Sequence, residues 1–148
     1  MALADPAGGS LICHNDIELS NVVFRDGVAV AIIDFEFAAP GRPVYDLAQF
    51  ARLCVPIEHE IDQARMGWAP ADRPARMRLI ADRYGLDRNG RAELVDAIED
   101  ALEQVEKAAR TSSHVVSSMV ASLGGLEKYD RRRQWWERHR DLFVEALR

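Results

Sequence analysis

The stretch that decides the fold runs from residue 11 to residue 38 and reads LICHNDIELSNVVF (11–24), RDG (25–27) and VAVAIIDFEFA (28–38). Two runs rich in β-branched residues flank Asp26-Gly27. This dipeptide between such runs is a strong hairpin signal, because a type I′ turn needs positive φ at both central positions. The sequence therefore predicts a β-hairpin whose turn is Asp26-Gly27 and whose second strand continues to Asp34.

After Pro43 the apolar residues recur with helical spacing. Asp72 and Pro74 are expected to begin one helix and Gly85 to end it, and another helix is expected after Asp130. The apolar stripes are Leu47, Phe50, Ala51 and Cys54; Met77, Ile80, Ala81 and Tyr84; Leu94, Val95, Ile98, Ala101, Leu102, Val105, Ala108 and Ala109; and Trp135, Trp136, His139, Leu142, Phe143, Ala146 and Leu147. The third stripe is expected to continue through Val115, Val116, Met119, Val120 and Leu123 after a break at residues 111–113.

The fold class expected from these patterns is α+β, mainly α. We expect a single domain over residues 1–148, with a hairpin region at 10–38 and a helical region of four to six helices at 43–148.

Composition excludes several classes of protein. The 148 residues include 19 Lys and Arg against 24 Asp and Glu, and 48% are hydrophobic, as in ordinary globular domains. The net charge of −5 disfavours nonspecific nucleic-acid binding. Without a secretory leader or an apolar run of about 20 residues, we expect a cytoplasmic protein with no membrane partner. Cys13 and Cys54 are expected to be buried free thiols.

Polar residues cluster around the predicted hairpin. A turn centred on residues 26 and 27 places Asn21 opposite Ile32, with Asp34 two residues farther along, about 7 Å away at roughly 3.3 Å per residue. An amide oxygen and a carboxylate at that separation can bind one hard cation. Asp16 can face the same point as a general base or a water-positioning group, which is a layout for phosphoryl transfer. The alternative is an ordinary polar cluster at a turn and a strand end.

The order His14-x-Asp16-x-x-x-x-Asn21, followed by Asp34-Phe35-Glu36, resembles the catalytic loop and metal-binding triplet of protein kinases. The absence of Gly after Phe35 and the segment Tyr45-Asp46-Leu47-Ala48 make the chain more similar to the aminoglycoside phosphotransferase and choline kinase family. The resemblance covers Leu11 to Phe50. It implies a kinase-like C-terminal lobe, in which a small β-hairpin carries the catalytic loop and a helical bundle follows.

The resemblance also implies roles for individual residues. Asp16 would take the proton from the hydroxyl of a small-molecule acceptor, and Asn21 and Asp34 would hold Mg²⁺ for reaction with ATP. His14 would brace the loop, and Glu36 is a weaker candidate for a supporting or metal-binding group. Asp46 would accept hydrogen bonds from the loop backbone, or would simply be a carboxylate at a helix N-terminus.

Two departures from the family are visible. Asn15 stands where the family usually has Gly, and only 13 residues precede His14, where the family has an N-terminal lobe with a phosphate-binding Lys. We therefore expect the N-terminal lobe to be absent, and activity to require a separate N-terminal-lobe partner or a longer chain. One alternative is a noncatalytic lobe that acts as a binding or regulatory module or a homodimer. A weaker alternative is an unrelated helical protein with a chance motif.

Two charged segments outside this region have open interpretations. Glu58, Glu60 and Asp62 are expected to lie on a solvated loop, or to receive a cationic aminosugar if that is the acceptor. The three arginines 131–133 are expected to form a solvated or partner-facing edge, rather than a nucleic-acid surface with Trp135 and Trp136.

Overall fold

The computed structural model describes residues 3–111 and 125–148, which form a mixed α+β fold that is mainly helical. The strands are β1 (Leu11–Cys13), β2 (Val22–Arg25), β3 (Val28–Ile32) and β4 (Ala39–Gly41), and a 3-10 turn covers Leu19–Asn21. The helices are α1 (Pro43–Cys54), α2 (Glu60–Arg65), α3 (Arg73–Tyr84), α4 (Arg88–Thr111) and α5 (Glu127–Ala146).

Strands β2 and β3 form the predicted hairpin. Asp26 and Gly27 have φ values of 53° and 77°, as a type I′ turn requires, so the turn prediction is confirmed. The predicted register was wrong by one residue, because Val22, not Asn21, lies opposite Ile32. β3 also ends at Ile32, two residues earlier than expected.

The register error has a local cause. Arg25 pairs with Val28 and Phe24 with Ala29, as a two-residue turn dictates, but Val23 pairs with Ala31. The extra residue on β3 is a bulge, which a sequence pattern does not reveal. The bulge moves Asn21 one residue nearer to Asp34, and the backbone N–H of Ile33 donates to the Asn21 carbonyl at 2.9 Å.

A second sheet, which the sequence did not predict, pairs β1 with β4 in antiparallel fashion. Leu11 lies opposite Gly41 and Cys13 opposite Ala39. Three-residue strands are too short to show an alternating pattern. The pairing matters because β1 leads into residues 14–21 and β4 leads into α1, so the loop starts beside the N-terminus of α1.

The helix predictions are largely confirmed. The carboxylate of Asp72 caps α3 by accepting from the Ala75 N–H at 3.0 Å, and Gly85 ends the helix at a φ of 82°. The last helix begins at Glu127, not after Asp130. The stripe expected over Val115–Leu123 and most of the expected break at 111–113 lie outside the described residues.

The hydrophobic core lies among the helices, where α1 packs on α4 and α5 packs on α3 and α4. Leu142 was expected on the apolar side of α5 but is 56% exposed. The core residues are Val44, Leu47, Ala48, Ala51, Val55, Ile57, Met77, Ala81, Leu94, Val95, Ala97, Ile98, Leu102, Trp135, Trp136, Phe143 and Leu147. This core fixes α1, and α1 in turn supports the loop.

A partly buried ion pair secures the start of α1. The Arg42 guanidinium donates to both carboxylate oxygens of Asp5, at 2.8 and 3.0 Å, and also reaches Asp100 on α4 at 3.0 Å. Burial disfavours the charged form of Asp5, but its hydrogen bonds with Arg42 outweigh this and lower its pKa. The pairing ties residues 3–9 and α4 to the segment that begins α1.

Both cysteines are free, as expected; Cys13 is buried and Cys54 is partly buried. Within 3–111 and 125–148, no helix is both long and apolar enough to cross a membrane.

Candidate functional site

The loop that follows β1 is braced by His14, whose side chain is buried. Its Nε2–H donates to the carbonyl of Ile33 at 3.0 Å, and its Nδ1 accepts from the backbone N–H of Asp16 at 3.3 Å. These two bonds require a neutral imidazole with its proton on Nε2. His14 thereby joins the loop to the residue directly before Asp34.

Asp46, in the first turn of α1, holds the same loop from the other side. One carboxylate oxygen accepts from the His14 N–H at 2.9 Å, and the other accepts from the Asn15 N–H at 2.8 Å. Both interpretations of Asp46 therefore apply to one side chain, which is a helix N-terminal carboxylate and also an acceptor for the loop backbone. Such charge-assisted bonds are stronger than neutral ones.

Asn15 takes up the backbone conformation that favours glycine. Its φ is 66°, and its side chain is fully buried. The amide Nδ2 donates to the carbonyl of Phe37 at 3.0 Å, whereas Oδ1 has no hydrogen-bond partner among the described residues. Asn tolerates positive φ better than most residues, which explains why it can replace the usual Gly of the family here.

Asn21 lies at the end of the 3-10 turn and contacts Asp16 directly. Its Nδ2 donates to the Asp16 carbonyl at 2.9 Å and to the Asp16 carboxylate at 3.2 Å. Because the amide nitrogen faces Asp16, the amide oxygen is the atom that Asn21 can offer to a cation. One side chain thus orients Asp16 and supplies a candidate metal ligand.

Asp34 follows Ile33 at a φ of 66° and is exposed. Within residues 3–111 and 125–148 its carboxylate has neither a hydrogen bond nor an ion pair, so it is free to bind a ligand. Glu36 is also exposed and is not held against the loop by a hydrogen bond or ion pair in that part of the chain. Hydrogen bonds therefore hold four of the predicted site residues around one loop: His14, Asp16, Asn21 and Asp46. The same loop is bonded to the backbone of Ile33, directly before Asp34, whereas Glu36 is not held in the cluster.

The donor set around Asn21 and Asp34 fits Mg²⁺. Among the described residues, no group of three or more His, Cys, Asp and Glu side chains is arranged to hold a metal ion. A magnesium ion that binds a nucleotide does not need such a group, because it usually takes one or two carboxylates together with phosphate oxygens and water. Asn21 and Asp34 offer one amide oxygen and one free carboxylate, which are donors of the kind that such an ion takes.

The electrostatic surroundings of Asp16 favour its protonated form. Burial and the negative charge of Glu18 raise its pKa, against the opposing effects of the Arg52 charge and the hydrogen bond from Asn21. A raised pKa makes a carboxylate a better proton acceptor once it is ionised.

Sequence reasoning missed Arg52, which interacts electrostatically with Asp16 from the last turn of α1. Burial and the nearby Arg132 lower the pKa of Arg52 to about 10, while the charges of Asp16 and Glu58 oppose that change. Its Nε donates to the Gln49 side chain at 2.6 Å. The only signal in the sequence is its position six residues after Asp46, which carries little information without the loop geometry.

The acidic segment 58–62 and the arginines 131–133 are partners, which corrects both sequence interpretations. Asp62, 1% exposed, receives two hydrogen bonds from Arg131, at 2.7 and 2.8 Å. Glu58, 6% exposed, is 3.4 Å from Lys128 and 3.5 Å from Arg132. Glu60 is exposed, but it accepts from Arg73 at 2.6 Å and from the Trp135 indole at 2.8 Å. Arg133 remains exposed and pairs with Glu106.

The part of the chain that contains the loop matches a known class of protein. The phosphotransferase enzyme family matches residues 1–80, so the chain belongs to that family, and the resemblance expected from the sequence is confirmed. A curated relative is the trifolitoxin immunity protein of Rhizobium leguminosarum bv. trifolii, which is 33% identical over 146 residues. The alignment covers 95% of this chain and 55% of that relative, so the chain spans about half the relative's length. Comparison with solved structures gave no significant match.

Proposed function

We propose that residues 1–148 carry the catalytic-loop half of an ATP-dependent phosphotransferase, corresponding to a kinase-like C-terminal lobe that folds as one domain. It would transfer the γ-phosphoryl group of ATP to a hydroxyl of a small molecule. The observation that carries this proposal is the hydrogen-bonded set of Asp16, Asn21 and His14, which is joined to the backbone of Ile33, the residue before Asp34.

Each residue has a defined task in that reaction. Asp16 accepts the proton of the acceptor hydroxyl while the new oxygen–phosphorus bond forms and the bond from the γ-phosphorus to the bridging oxygen of ADP breaks. Asn21 keeps the Asp16 carboxylate oriented through its Nδ2. Mg²⁺, held by Asn21 and Asp34, would neutralise phosphate charge. His14 and Asp46 hold the loop backbone in place.

We further propose that efficient turnover needs a nucleotide-covering segment in addition to these residues. Phosphoryl transfer depends on positioning and on charge stabilisation around the phosphates. The two lysines of the chain, Lys107 and Lys128, lie on α4 and α5, and Lys128 is paired with Glu58. Neither is placed near Asp34 by a contact in the described residues.

Calorimetric titration of the chain with ATP, with and without Mg²⁺, tests the proposal. We expect magnesium-dependent binding that Asp34→Ala abolishes. Asp141→Ala, which removes an exposed carboxylate on α5, is the matched control and should bind like the unchanged chain. Binding that is equal in Asp34→Ala and Asp141→Ala would contradict the assigned metal site.

The second candidate is a noncatalytic lobe that acts as a binding or regulatory module or forms a homodimer. An immunity role, of the kind named for the relative, would be one function of such a module. This candidate is favoured by the exposed apolar residues of the hairpin, which include Phe24, Val28 and Val30. Exposed apolar patches often mark protein interaction sites. Sedimentation equilibrium separates the candidates: association that Val28→Asp abolishes would favour the module, and a monomer at high concentration would count against a homodimer.

A further inference from the structure

A small cleft lies against the loop that joins Asp16 to Asn21. Its volume is about 210 Å³, and three segments form its walls. We name it the loop cleft; its lining residues are Glu18, Leu19 and Ser20 from the loop, Leu53 and Cys54 from the end of α1, and Met66 and Trp68 after α2. The cleft begins two residues from Asp16, where the Glu18 N–H donates to the Asp16 carbonyl at 3.0 Å.

Most of the lining of the loop cleft is apolar. Leu19 and Met66 are exposed beside it, at 54% and 40%, and Trp68 contributes an indole ring. The polar atoms present are already engaged in part, because the Ser20 hydroxyl donates to the Glu18 carboxylate. A ligand would therefore meet hydrocarbon and an aromatic ring over most of its surface.

The charges beside the loop cleft disfavour a ligand with several positive groups. The Arg76 guanidinium lies 5.6 Å from the centre of the Trp68 ring and donates to the carbonyl of Cys54 at 3.3 Å. The ammonium of Lys128 lies 3.7 Å from the Met66 sulfur. The nearby acidic residues Glu58 and Asp62 are already paired with Lys128 and the arginines of α5. Glu18 is the one carboxylate in the lining.

We propose that the loop cleft holds the apolar body of a small, uncharged alcohol, which is the phosphoryl acceptor. This inference rests on the proposed function and narrows its substrate class. The volume is below the roughly 300–1,000 Å³ typical of sites for drug-sized ligands, so the buried part of the acceptor is small. The apolar lining disfavours a multiply charged aminosugar body, since burying charged groups without partners is unfavourable.

The test is NMR titration of the whole chain, without nucleotide, with benzyl alcohol and separately with 2-deoxystreptamine, a small aminocyclitol with two positive charges. We expect benzyl alcohol to shift the Trp68 indole N–H signal saturably, while the indole signal of buried Trp136 stays unchanged. 2-Deoxystreptamine should leave Trp68 unchanged. A Trp68 response to 2-deoxystreptamine, with none to benzyl alcohol, would overturn the proposed substrate class.

Two variants test whether benzyl alcohol binds in the loop cleft and not elsewhere on the chain. Met66→Asp places a charge in the loop cleft at an exposed position and should weaken benzyl alcohol binding at least tenfold. Leu142→Asp makes the same kind of change at an exposed site on α5 and should leave binding unchanged. Equal binding by the Met66→Asp variant and the unchanged chain would contradict the location.

The titration also separates this inference from the proposed function, because it needs no ATP. A Trp68 response in a chain that fails to bind ATP with Mg²⁺ would support the loop cleft and count against the phosphotransferase proposal. Magnesium-dependent ATP binding without a Trp68 response to benzyl alcohol would refute the loop cleft alone.

Discussion

The loop before Asp16 depends on a single residue in a left-handed conformation. Asn15 combines a φ of 66° with a fully buried side chain whose Oδ1 has no hydrogen-bond partner among the described residues. Residues with a Cβ pay about 1–2 kcal/mol for this backbone region, and glycine does not. The conformation places the N–H groups of residues 14 and 15 on the two oxygens of Asp46.

Paired substitutions at Asn15 separate the backbone effect from the loss of the side chain. Asn15→Ala and Asn15→Gly both remove the hydrogen bond to Phe37, but only alanine has a Cβ at positive φ. We expect the alanine variant to have a free energy of unfolding about 1 kcal/mol lower than the glycine variant in urea denaturation. Equal stabilities would show that φ at residue 15 does not limit the loop.

The pKa of Asp16 gives a second prediction at the residue scale. Burial and Glu18 both raise this pKa, so Glu18→Gln should lower it by removing one of the two causes. The pKa can be read from the carboxyl carbon signal of Asp16 in an NMR titration. Glu36→Gln is the control, because Glu36 is not among the main groups that shift the Asp16 pKa and the variant should leave that pKa unchanged.

The direction of the stability effect follows from the same shift. Because folding raises the pKa of Asp16, its contribution to stability is present below the pKa of the unfolded chain and is lost as pH rises through the folded pKa. Glu18→Gln should reduce the loss of stability that accompanies this rise in pH. An unchanged Asp16 titration in Glu18→Gln would contradict the electrostatic description of the loop.

At the scale of elements, helix α5 is joined to residues 58–62 by buried ion pairs as well as by apolar packing. Glu58 lies between Lys128 and Arg132, and one of its oxygens, Oε2, has no hydrogen-bond partner among the described residues. Removing one member of a buried ion pair leaves a buried charge uncompensated. The cost of such a change is therefore large, even where the intact pair itself adds little stability.

We expect Glu58→Gln to lower the free energy of unfolding by about 3–5 kcal/mol, because it leaves Lys128 and Arg132 without their common counter-ion. The measurement is urea denaturation followed by the fluorescence of the buried tryptophans. Glu103→Gln on the exposed face of α4 is the control, with a change within about 0.5 kcal/mol. Similar small changes in both variants would show that the ion pairs do not hold α5 in place.

The same elements show what sequence reasoning can reach. Helices α1, α3, α4 and α5 and the turn of the hairpin follow from local signals, such as the Asp72 cap and Asp26-Gly27. The β1–β4 pairing, the bulge in β3 and the burial of Glu58 depend on tertiary contacts instead. A charge in a sequence gives no information about a partner about 70 residues away, so the sequence alone does not connect the acids 58–62 with the arginines 131–133.

The candidate site likewise has features that local sequence patterns predict and features that depend on tertiary contacts. The spacing of His14, Asp16, Asn21 and Asp34 pointed to phosphoryl transfer, and membership of the phosphotransferase family agrees with it. The hydrogen bonds by which His14 braces the loop, and the electrostatic effect of Arg52 on Asp16, can be recognised only from the folded structure. The lining of the loop cleft also comes from three separate segments between residues 18 and 68, which no local motif could connect.

At the scale of the whole molecule, the helical core supports the loop that carries the candidate catalytic residues, and the apolar residues of the hairpin are exposed. Helix α1 connects this loop to the core, because Asp46 in its first turn holds the loop and its apolar face packs on α4.

The most direct measurement is an NMR spectrum of the chain with Mn²⁺ and ATP, since Mn²⁺ can replace Mg²⁺ at oxygen ligands and broadens signals from nearby nuclei. We predict that the amide signals of Asn21, Ile33 and Asp34 broaden first, that added Mg²⁺ reverses the effect, and that Asp34→Ala abolishes it. Broadening centred on the acidic residues of α4, or broadening that persists in Asp34→Ala, would contradict a metal site formed by Asn21 and Asp34.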